Sequence, residues 1–93
     1  MTDSKKVIIF VCTGNTCRSP MAEALFLRRL KRDGRDDIIT LSRGLSAAGG
    51  EPASPLAVSA MAAYGCDISA HRSAPLTAVS YTHLRAHETS LHL

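Results

Sequence analysis

The chain has 93 residues, of which 45% are hydrophobic, and a formal net charge of +3. These values predict one small globular domain and give little reason to expect nucleic-acid binding, because the basic residues between positions 28 and 35 are interleaved with acidic ones and lack stacking aromatics. No apolar run is long enough to span a membrane, no signal-peptide pattern opens the chain, and three cysteines do not make a disulfide framework. We therefore expect a cytoplasmic protein that contacts no membrane.

The first predicted element is a strand over residues 7–11, which read Val-Ile-Ile-Phe-Val. A short continuous run of β-branched and aromatic residues, with charged residues before it, is typical of a parallel strand that is buried on both faces. We therefore expect residues 7–11 to be the central strand of a sheet.

Residues 12–20 follow this strand directly and read Cys-Thr-Gly-Asn-Thr-Cys-Arg-Ser-Pro. Cys12 and Arg18 are separated by five residues, so both side chains can face the centre of one tight loop. Ser19 suits the N-cap of a helix and Pro20 its first position, which brings the positive end of the helix dipole to the loop. The pattern predicts a site for a tetrahedral dianion such as phosphate.

The residue types in this loop also suit a reaction. A cysteine near a helix N-terminus and an arginine can have its pKa lowered from about 8.5 to roughly 3.5–7.5, which makes Cys12 a candidate nucleophile. The rigid guanidinium group of Arg18 can hydrogen-bond to two oxygens of a phosphoryl group and retain both bonds in the transition state. Gly14 can supply a positive φ or a close backbone approach. A structural cysteine and a surface arginine at the same spacing are the alternative, which the flanking strand and helix start disfavour.

Residues 7–20 resemble the low-molecular-weight protein phosphatases, with Thr16 as in the bacterial protein-arginine phosphatases. The resemblance continues weakly through residues 49–55 and 67–77 and covers about the first 78 residues. It implies that Cys12 is the nucleophile, that Arg18 clamps the phosphate, that Ser19 steadies the thiolate and that Asn15 holds the shape of the loop. The phosphate-binding residues that it implies are Thr13, Gly14, Asn15, Thr16, Cys17 and Ser19.

The remaining elements are predicted from the spacing of the apolar residues and from the glycine, serine and proline residues that begin or end helices. We predict a helix from Pro20 to about Asp33, ended by Gly34, an edge strand over residues 37–42 with Ile39 and Leu41 on its covered face, and a loop over residues 43–54. Ser54 and Pro55 begin a second helix that Gly65 ends. The side chains expected in the core are Met61, Tyr64 and Cys66. An extended connection follows, in which we expect His71 to have a structural role. The order is that of an α/β protein with a parallel sheet. The resemblance implies an incomplete flavodoxin-like three-layer sandwich, to which the chain contributes two strands and two helices.

The composition changes abruptly in the C-terminal segment. Residues 79–93 hold three of the four histidines, and residues 79–89 resemble the translation of a transposase-type sequencing adaptor. We expect residues 1–78 to be the N-terminal part of the phosphatase domain and residues 79–93 to be a non-native tail, and we disfavour the alternative of a metal site at His83, His87 and His92. One edge of the strand over residues 7–11 should then stay unpaired, which favours association and poor folding.

The preferred interpretation is a cysteine-dependent protein phosphatase that acts on phosphotyrosine or phosphoarginine through a phosphoenzyme at Cys12. It needs a phosphorylated protein as substrate, releases inorganic phosphate, and uses no metal or other cofactor. The resembling family takes its general acid from an Asp-Pro pair, which this chain lacks, so we expect weak or no turnover from the chain itself. Cys17 is a candidate redox partner of Cys12. The alternatives are an arsenate reductase, for which Cys17 and Cys66 are poorly placed as resolving thiols, and a non-catalytic anion-binding module.

Overall fold

The structure is a computed structural model that describes residues 6–76 and 88–93. The elements in chain order are β1 (Lys6–Cys12), α1 (Arg18–Arg32), β2 (Ile38–Gly44), α2 (Pro55–Ala62) and β3 (Glu88–His92). The three strands form a parallel sheet in the order β2-β1-β3. The α/β class, the parallel sheet and the central position of β1 are therefore confirmed.

Strand β1 is buried on both faces because its apolar run supplies large side chains to each of them. Ile9 and Val11 are fully buried and form a cluster with the half-buried Leu41 of β2. Phe10 points to the opposite face, where its ring meets the ring of Phe26 on α1 edge-on, with 5.7 Å between the centroids. Packing on both faces fixes the carboxyl end of β1, where Cys12 lies.

Helix α1 begins at Arg18, earlier than the sequence predicted, and Ser19 is not its N-cap. The N-cap is Cys17, which makes no side-chain capping hydrogen bond, while Ser19 and Pro20 lie buried in the first turn. The prediction for Ser19 is wrong because its hydroxyl hydrogen-bonds to Cys12 instead of to an amide of the helix. The predicted end of the helix is confirmed, since Gly34 follows it with φ of 69°.

Helix α2 begins as predicted and packs against α1. The Ser54 hydroxyl accepts a hydrogen bond from the backbone N–H of Ala57 at 3.2 Å, with Pro55 as the first helical residue. Met61 is buried, but Tyr64 is 55% exposed, because the helix ends at Ala62 and the turn beyond it leaves the buried stripe. The prediction that Tyr64 belongs to the core is wrong, and Cys66 is only half-buried.

Strand β2 runs two residues further than predicted and lies at an edge of the described sheet. Leu41 packs against the β1 cluster as expected, whereas Ile39 is 41% exposed. An edge strand has a neighbour on one side only, so a side chain near its start receives less cover. The extra residues bring Gly44, the last residue of β2, level with Cys12 in the parallel register.

The other edge of β1 is occupied, contrary to the expectation of an unpaired edge. Glu88–His92 pairs with it in parallel, from Val7↔Glu88 to Val11↔His92, and the backbone N–H of Leu93 donates to the carbonyl of Val11 at 2.7 Å. The expectation fails because the unpaired N–H and C=O groups of an edge can be satisfied by any extended segment, whatever its side chains.

The domain boundary at residue 78 stays a prediction. His83 and His87, which the disfavoured metal site would need, lie outside the described residues. Neither of the two described helices combines the length and the apolar character needed to cross a membrane.

Candidate active site

The two reactive residues that the sequence singled out lie at the ends of two rigid elements. Cys12 is the last residue of β1 and is 6% exposed, and Arg18 is the first residue of α1 and is exposed. The connecting residues 13–17 form a short loop at the carboxyl end of the central strand, which is where open α/β sheets bind ligands. The structure therefore places the predicted nucleophile and the predicted clamp on either side of one loop.

The carbonyl groups of this loop accept hydrogen bonds from outside it. Three of the donors are backbone N–H groups, in the pairs Leu45 to Cys12 at 2.9 Å, Ser46 to Thr13 at 2.9 Å and Ser54 to Thr16 at 2.8 Å. The fourth donor is Nε2 of His71, which lies 2.7 Å from the carbonyl oxygen of Asn15. In a trans peptide the N–H points opposite to the C=O, so the N–H groups that follow these carbonyls point into the loop. Inward N–H groups at a helix start form a cradle for an oxyanion.

Asn15 holds the shape of the loop from the inside. It is fully buried and has φ of 58°, a left-handed conformation that asparagine tolerates better than most residues. Its Nδ2 donates to Oγ of Ser19 at 2.7 Å, and its Oδ1 accepts from the backbone N–H of Ala74 at 2.8 Å. One side chain thus ties the loop both to α1 and to the segment that follows α2.

The expectation that Gly14 supplies a positive φ or a close backbone approach is wrong. Its φ is not positive, and a Cβ added to it would meet Oγ1 of Thr16 at 3.7 Å, which is an ordinary contact. The left-handed conformation moves to Asn15 because the two hydrogen bonds of that side chain offset its backbone cost. A close backbone approach does exist at the loop, but it belongs to Gly44 of β2.

The thiol of Cys12 lies in surroundings that favour its thiolate. Burial raises the pKa of Cys12, but hydrogen bonds from the Ser19 hydroxyl and from the backbone N–H groups of Ser19 and Asn15, together with the Arg18 charge, outweigh it and lower the pKa. The distance from Sγ of Cys12 to Oγ of Ser19 is 3.0 Å. Because Asn15 already donates to Oγ of Ser19, the hydroxyl proton is left to point at the sulfur.

The remaining residues of the implied phosphate set differ in exposure. Thr13, Gly14 and Cys17 are exposed, and Thr16 is half-buried. The ion pairs within residues 6–76 lie near the other end of α1, between Arg29 and Asp33 and between Arg35 and Asp37, so they leave Arg18 unengaged. An arginine that pairs with no carboxylate of the described residues, beside an anion cradle, is available to a ligand.

From its place after the second helix, the sequence predicts that Asp67 lies on the side of the sheet opposite the loop, but the structure brings Asp67 closer to the loop end of α1. It lines a cavity of about 250 Å³ that also reaches Pro20 in the first turn of α1 and His71 beside the loop. The difference arises because the segment after α2 runs back along α1 instead of staying at its far end. The Asp67 carboxylate accepts from the backbone N–H of Ser69 at 2.9 Å and from its hydroxyl at 2.6 Å.

Most of the groups that shape the loop carried no signal in the sequence. They act through backbone atoms that every residue type possesses, or through one histidine interpreted only as structural. These groups belong to Gly44, Leu45, Ser46, Ser54, His71 and Ala74. Within the part of the chain that the structure describes, no three histidine, cysteine or acidic side chains converge as metal ligands do.

A parallel α/β sheet with a cysteine and an arginine around an oxyanion cradle is an arrangement typical of cysteine-based phosphatases. The sequence model of one such family, described as low molecular weight phosphotyrosine protein phosphatase, matches residues 7–85. The chain belongs to this family. The match extends seven residues past the point where the resemblance in the sequence ended.

The relatives of this chain are named as enzymes of different activity. The chain is 47% identical over 72 residues to a probable low molecular weight protein-tyrosine-phosphatase EpsP of Ralstonia solanacearum, covering 77% of this chain and 46% of that protein. It is 49% identical over 70 residues to the protein-arginine-phosphatase of Bacillus subtilis (strain 168), covering 75% and 45%. It is 43% identical over 70 residues to an arsenate reductase of Staphylococcus aureus (strain Newman), covering 75% and 48%. The chain spans about half the length of these curated relatives.

A solved structure shares the fold. The crystal structure of the low molecular weight protein tyrosine phosphatase from T. tengcongensis superposes with a TM-score of 0.82 and 42% identity, covering 95% of this chain and 58% of that one. This similarity supports the sheet order and the position of the loop between β1 and α1.

The hydrogen bond between Ser19 and Cys12 generates a first prediction. Ser19→Ala removes the hydroxyl donor, so the pKa of Cys12 should rise towards that of an ordinary thiol. A hydrogen bond to a charged group that is worth about 1.5 kcal/mol corresponds to a loss of about tenfold in the rate of Cys12 alkylation below neutral pH. The rate is measured against pH with iodoacetamide, with Cys12 followed by peptide mass spectrometry.

Two control variants separate this effect from general damage. Ser19→Thr keeps a hydroxyl and should keep most of the reactivity, and Ser59→Ala, on the exposed side of α2, should change nothing. Because the folded-state pKa of Cys12 is lowered, wild type should gain stability over Ser19→Ala as the pH rises towards the ordinary thiol range. An unchanged alkylation profile in Ser19→Ala would remove Ser19 from this role.

Proposed function

We propose that the chain carries the catalytic loop of a cysteine-dependent protein phosphatase, with Cys12 as nucleophile and Arg18 as phosphate clamp. The observation that carries the proposal is the position of the Cys12 sulfur, which lies 3.0 Å from the Ser19 hydroxyl and at the edge of the loop. The carbonyls of Cys12, Thr13, Asn15 and Thr16 accept hydrogen bonds from outside this loop. Such a loop stabilises negative charge in two places, on the sulfur and on the oxygens of a bound phosphoryl group.

The reaction proceeds in two displacements. The phosphoryl oxygens bind the inward N–H groups and Arg18, the Cys12 sulfur attacks phosphorus, and the bond from phosphorus to the leaving group breaks as the S–P bond forms. Water then attacks the phosphocysteine, which releases inorganic phosphate and restores the thiolate. Protonation of a poor leaving group by a general acid is worth about 10²–10⁴-fold. No residue of this chain is assigned that role.

A leaving group that needs no proton tests the nucleophile directly in the 93-residue chain. With 2,4-dinitrophenyl phosphate, wild type should release up to one equivalent of dinitrophenolate rapidly and gain one phosphoryl group on Cys12, measured by stopped-flow absorbance and mass spectrometry. Cys12→Ser should show no burst, because a hydroxyl without an adjacent base is a weak nucleophile, yet it should still bind phosphate. Arg18→Ala should lose both the burst and the binding.

Arg28→Ala is the matched control for Arg18→Ala, since Arg28 is exposed on the same helix. It should behave as wild type. Phosphate binding by wild type without any phosphocysteine would contradict the phosphatase and favour a non-catalytic anion-binding module. A burst in Cys12→Ser would remove Cys12 from the role of nucleophile.

For the substrate class, we propose a phosphorylated protein side chain, with phosphoarginine favoured over phosphotyrosine. The similarity to a protein-arginine-phosphatase supports this choice. Thr16 is the residue of the loop through which we expect the preference to act. Thr16 is half-buried, and its carbonyl is fixed by the N–H of Ser54 at 2.8 Å, so a substitution changes the pocket wall more than the loop backbone. A small side chain with a hydroxyl leaves room for a planar phosphoguanidinium and can orient it.

Thr16→Ile should therefore lower the reaction with phosphoarginine more than the reaction with phosphotyrosine. Single-turnover release of arginine and of tyrosine from the two phosphoamino acids gives the ratio, which we expect to shift at least several-fold towards phosphotyrosine. Thr16→Ser retains the hydroxyl and should keep the ratio of wild type. Equal losses on both substrates would contradict this assignment.

Arsenate reduction is the second candidate, because a relative named arsenate reductase is 43% identical over the same part of the chain. Arsenate has the geometry of phosphate and suits the same cradle. The reaction needs further thiols to resolve an oxidised Cys12, and a thioredoxin-coupled arsenate assay run beside the phosphate-release assay separates the two activities.

We also propose that Cys17 protects Cys12 from over-oxidation. A low-pKa thiolate oxidises to a sulfenic acid, and a thiol on the same loop can convert it to a disulfide with release of water. Cys17 is exposed at the N-cap of α1, and both cysteines are free thiols in the structure. A reaction that depends on a free thiolate suits the cytoplasm, where thiols are kept reduced.

Hydrogen peroxide should therefore give a linked Cys12–Cys17 peptide, and dithiothreitol should restore the reactivity of Cys12. Cys17→Ser should lose reactivity irreversibly through sulfinic acid, whereas Cys66→Ser should recover like wild type. Inactivation of wild type with Cys17 left unmodified would show that Cys17 only packs at the loop.

A further inference from the structure

Strand β2 ends against the anion loop at a point where no side chain fits. A Cβ added to Gly44 would lie 2.8 Å from the carbonyl oxygen of Thr13, 2.9 Å from Cβ of Asn15 and 2.8 Å from Cβ of Ala47. Heavy atoms at such distances overlap. The φ of Gly44 is not positive, so the requirement for glycine comes from space and not from backbone conformation.

The backbone of Gly44 is held on both sides and cannot retreat. On one side it pairs with Cys12 in the parallel register of β1 and β2. On the other side its N–H donates to the carbonyl of Ala74 at 2.9 Å, and its carbonyl accepts from the N–H of Leu76 at 2.9 Å. An added carbon must therefore displace the loop or Ala47.

The two loop groups in contact with Gly44 are connected to the reactive sulfur. The Thr13 carbonyl accepts from the N–H of Ser46, which keeps the next peptide N–H pointing inward. Asn15 donates to Ser19, and Ser19 hydrogen-bonds to Cys12. A displacement at Gly44 thus reaches the sulfur through two hydrogen bonds.

We propose that Gly44 is a positioning residue, whose missing side chain lets the anion loop close against the end of β2 into the shape that binds a phosphoryl group and holds Cys12 as thiolate. The inference rests on the proposed function, but Gly44 has no side chain with which to bind the phosphoryl group or the sulfur. It sets the loop from outside through van der Waals contact.

The test is a size series at this position, Gly44→Ala and Gly44→Val, in the full 93-residue chain. The readouts are the pH dependence of Cys12 alkylation by iodoacetamide and the protection of Cys12 by inorganic phosphate. We expect the midpoint of the alkylation profile to move to higher pH and phosphate protection to weaken, slightly for alanine and at least tenfold for valine. Circular dichroism and thermal melting establish that each variant is folded.

Gly34→Ala is the control for general destabilisation. Gly34 has φ of +69°, and a Cβ there would meet nothing within 4 Å. This variant should lower the melting temperature through backbone strain while it leaves the Cys12 profile unchanged. A positioning role predicts the opposite pattern for Gly44→Ala. Its Cys12 alkylation profile should change, while its melting temperature should stay close to that of wild type.

The double variant Gly44→Ala/Ala47→Gly shows whether the Cβ added at position 44 changes the alkylation profile through its overlap with the loop or through its overlap with Ala47. If the overlap acts through the loop, removing the Ala47 methyl should not restore the profile, because the contacts with Thr13 and Asn15 remain. Full recovery in the double variant, or a folded Gly44→Val with a wild-type profile and wild-type protection, would overturn the inference. Absence of phosphate protection in wild type would instead contradict the proposed function.

Discussion

The outward hydrogen bonds of the loop carbonyls are the constraint on which the candidate site depends. Inward N–H groups repel one another until an anion binds, so something else must hold the peptide planes in place. Each external bond contributes about 0.5–1.5 kcal/mol net, and four such bonds offset much of that cost before the ligand arrives. The donors belong to the segment after β2 and to His71. The cradle is therefore built by residues that do not belong to it.

The side chain of Asn15 offsets the strain of its own backbone and also links the loop to the rest of the fold. A left-handed residue other than glycine costs about 1–2 kcal/mol, and the two hydrogen bonds of the buried amide offset this cost. The same amide fixes the Ser19 hydroxyl, which then stabilises the thiolate of Cys12. Loop conformation and the ionisation of the thiol are thus coupled through a single buried residue, and a distortion of the loop changes the pKa of Cys12.

The sheet illustrates a different balance between side chains and backbone. Strand β1 is placed by its apolar side chains, which are buried on both faces, and this placement could be read from the sequence. Strand β3 pairs with β1 although most of its residues are polar, because backbone hydrogen bonds are indifferent to residue type. The family match covers residues 7–85, which include α1, β2, α2 and all but the first residue of β1, and the chain spans about half the length of its relatives.

The sequence by itself determined the order of the first four elements, the central strand and the pairing of Cys12 with Arg18 around one loop, since these follow from local periodicity and spacing. Tertiary structure decided the rest. The hydroxyl of Ser19 serves Cys12 and not a helix cap, Asn15 takes the conformation expected of Gly14, and Gly44 supplies the close approach. The conformation of Asn15 depends on the distant backbone N–H of Ala74, and the close approach at Gly44 depends on how the end of β2 meets the loop. Backbone groups hydrogen-bond alike in every residue type and leave no pattern in the sequence. The hydroxyl of Ser19 reaches Cys12 only because the folded loop brings the two side chains together.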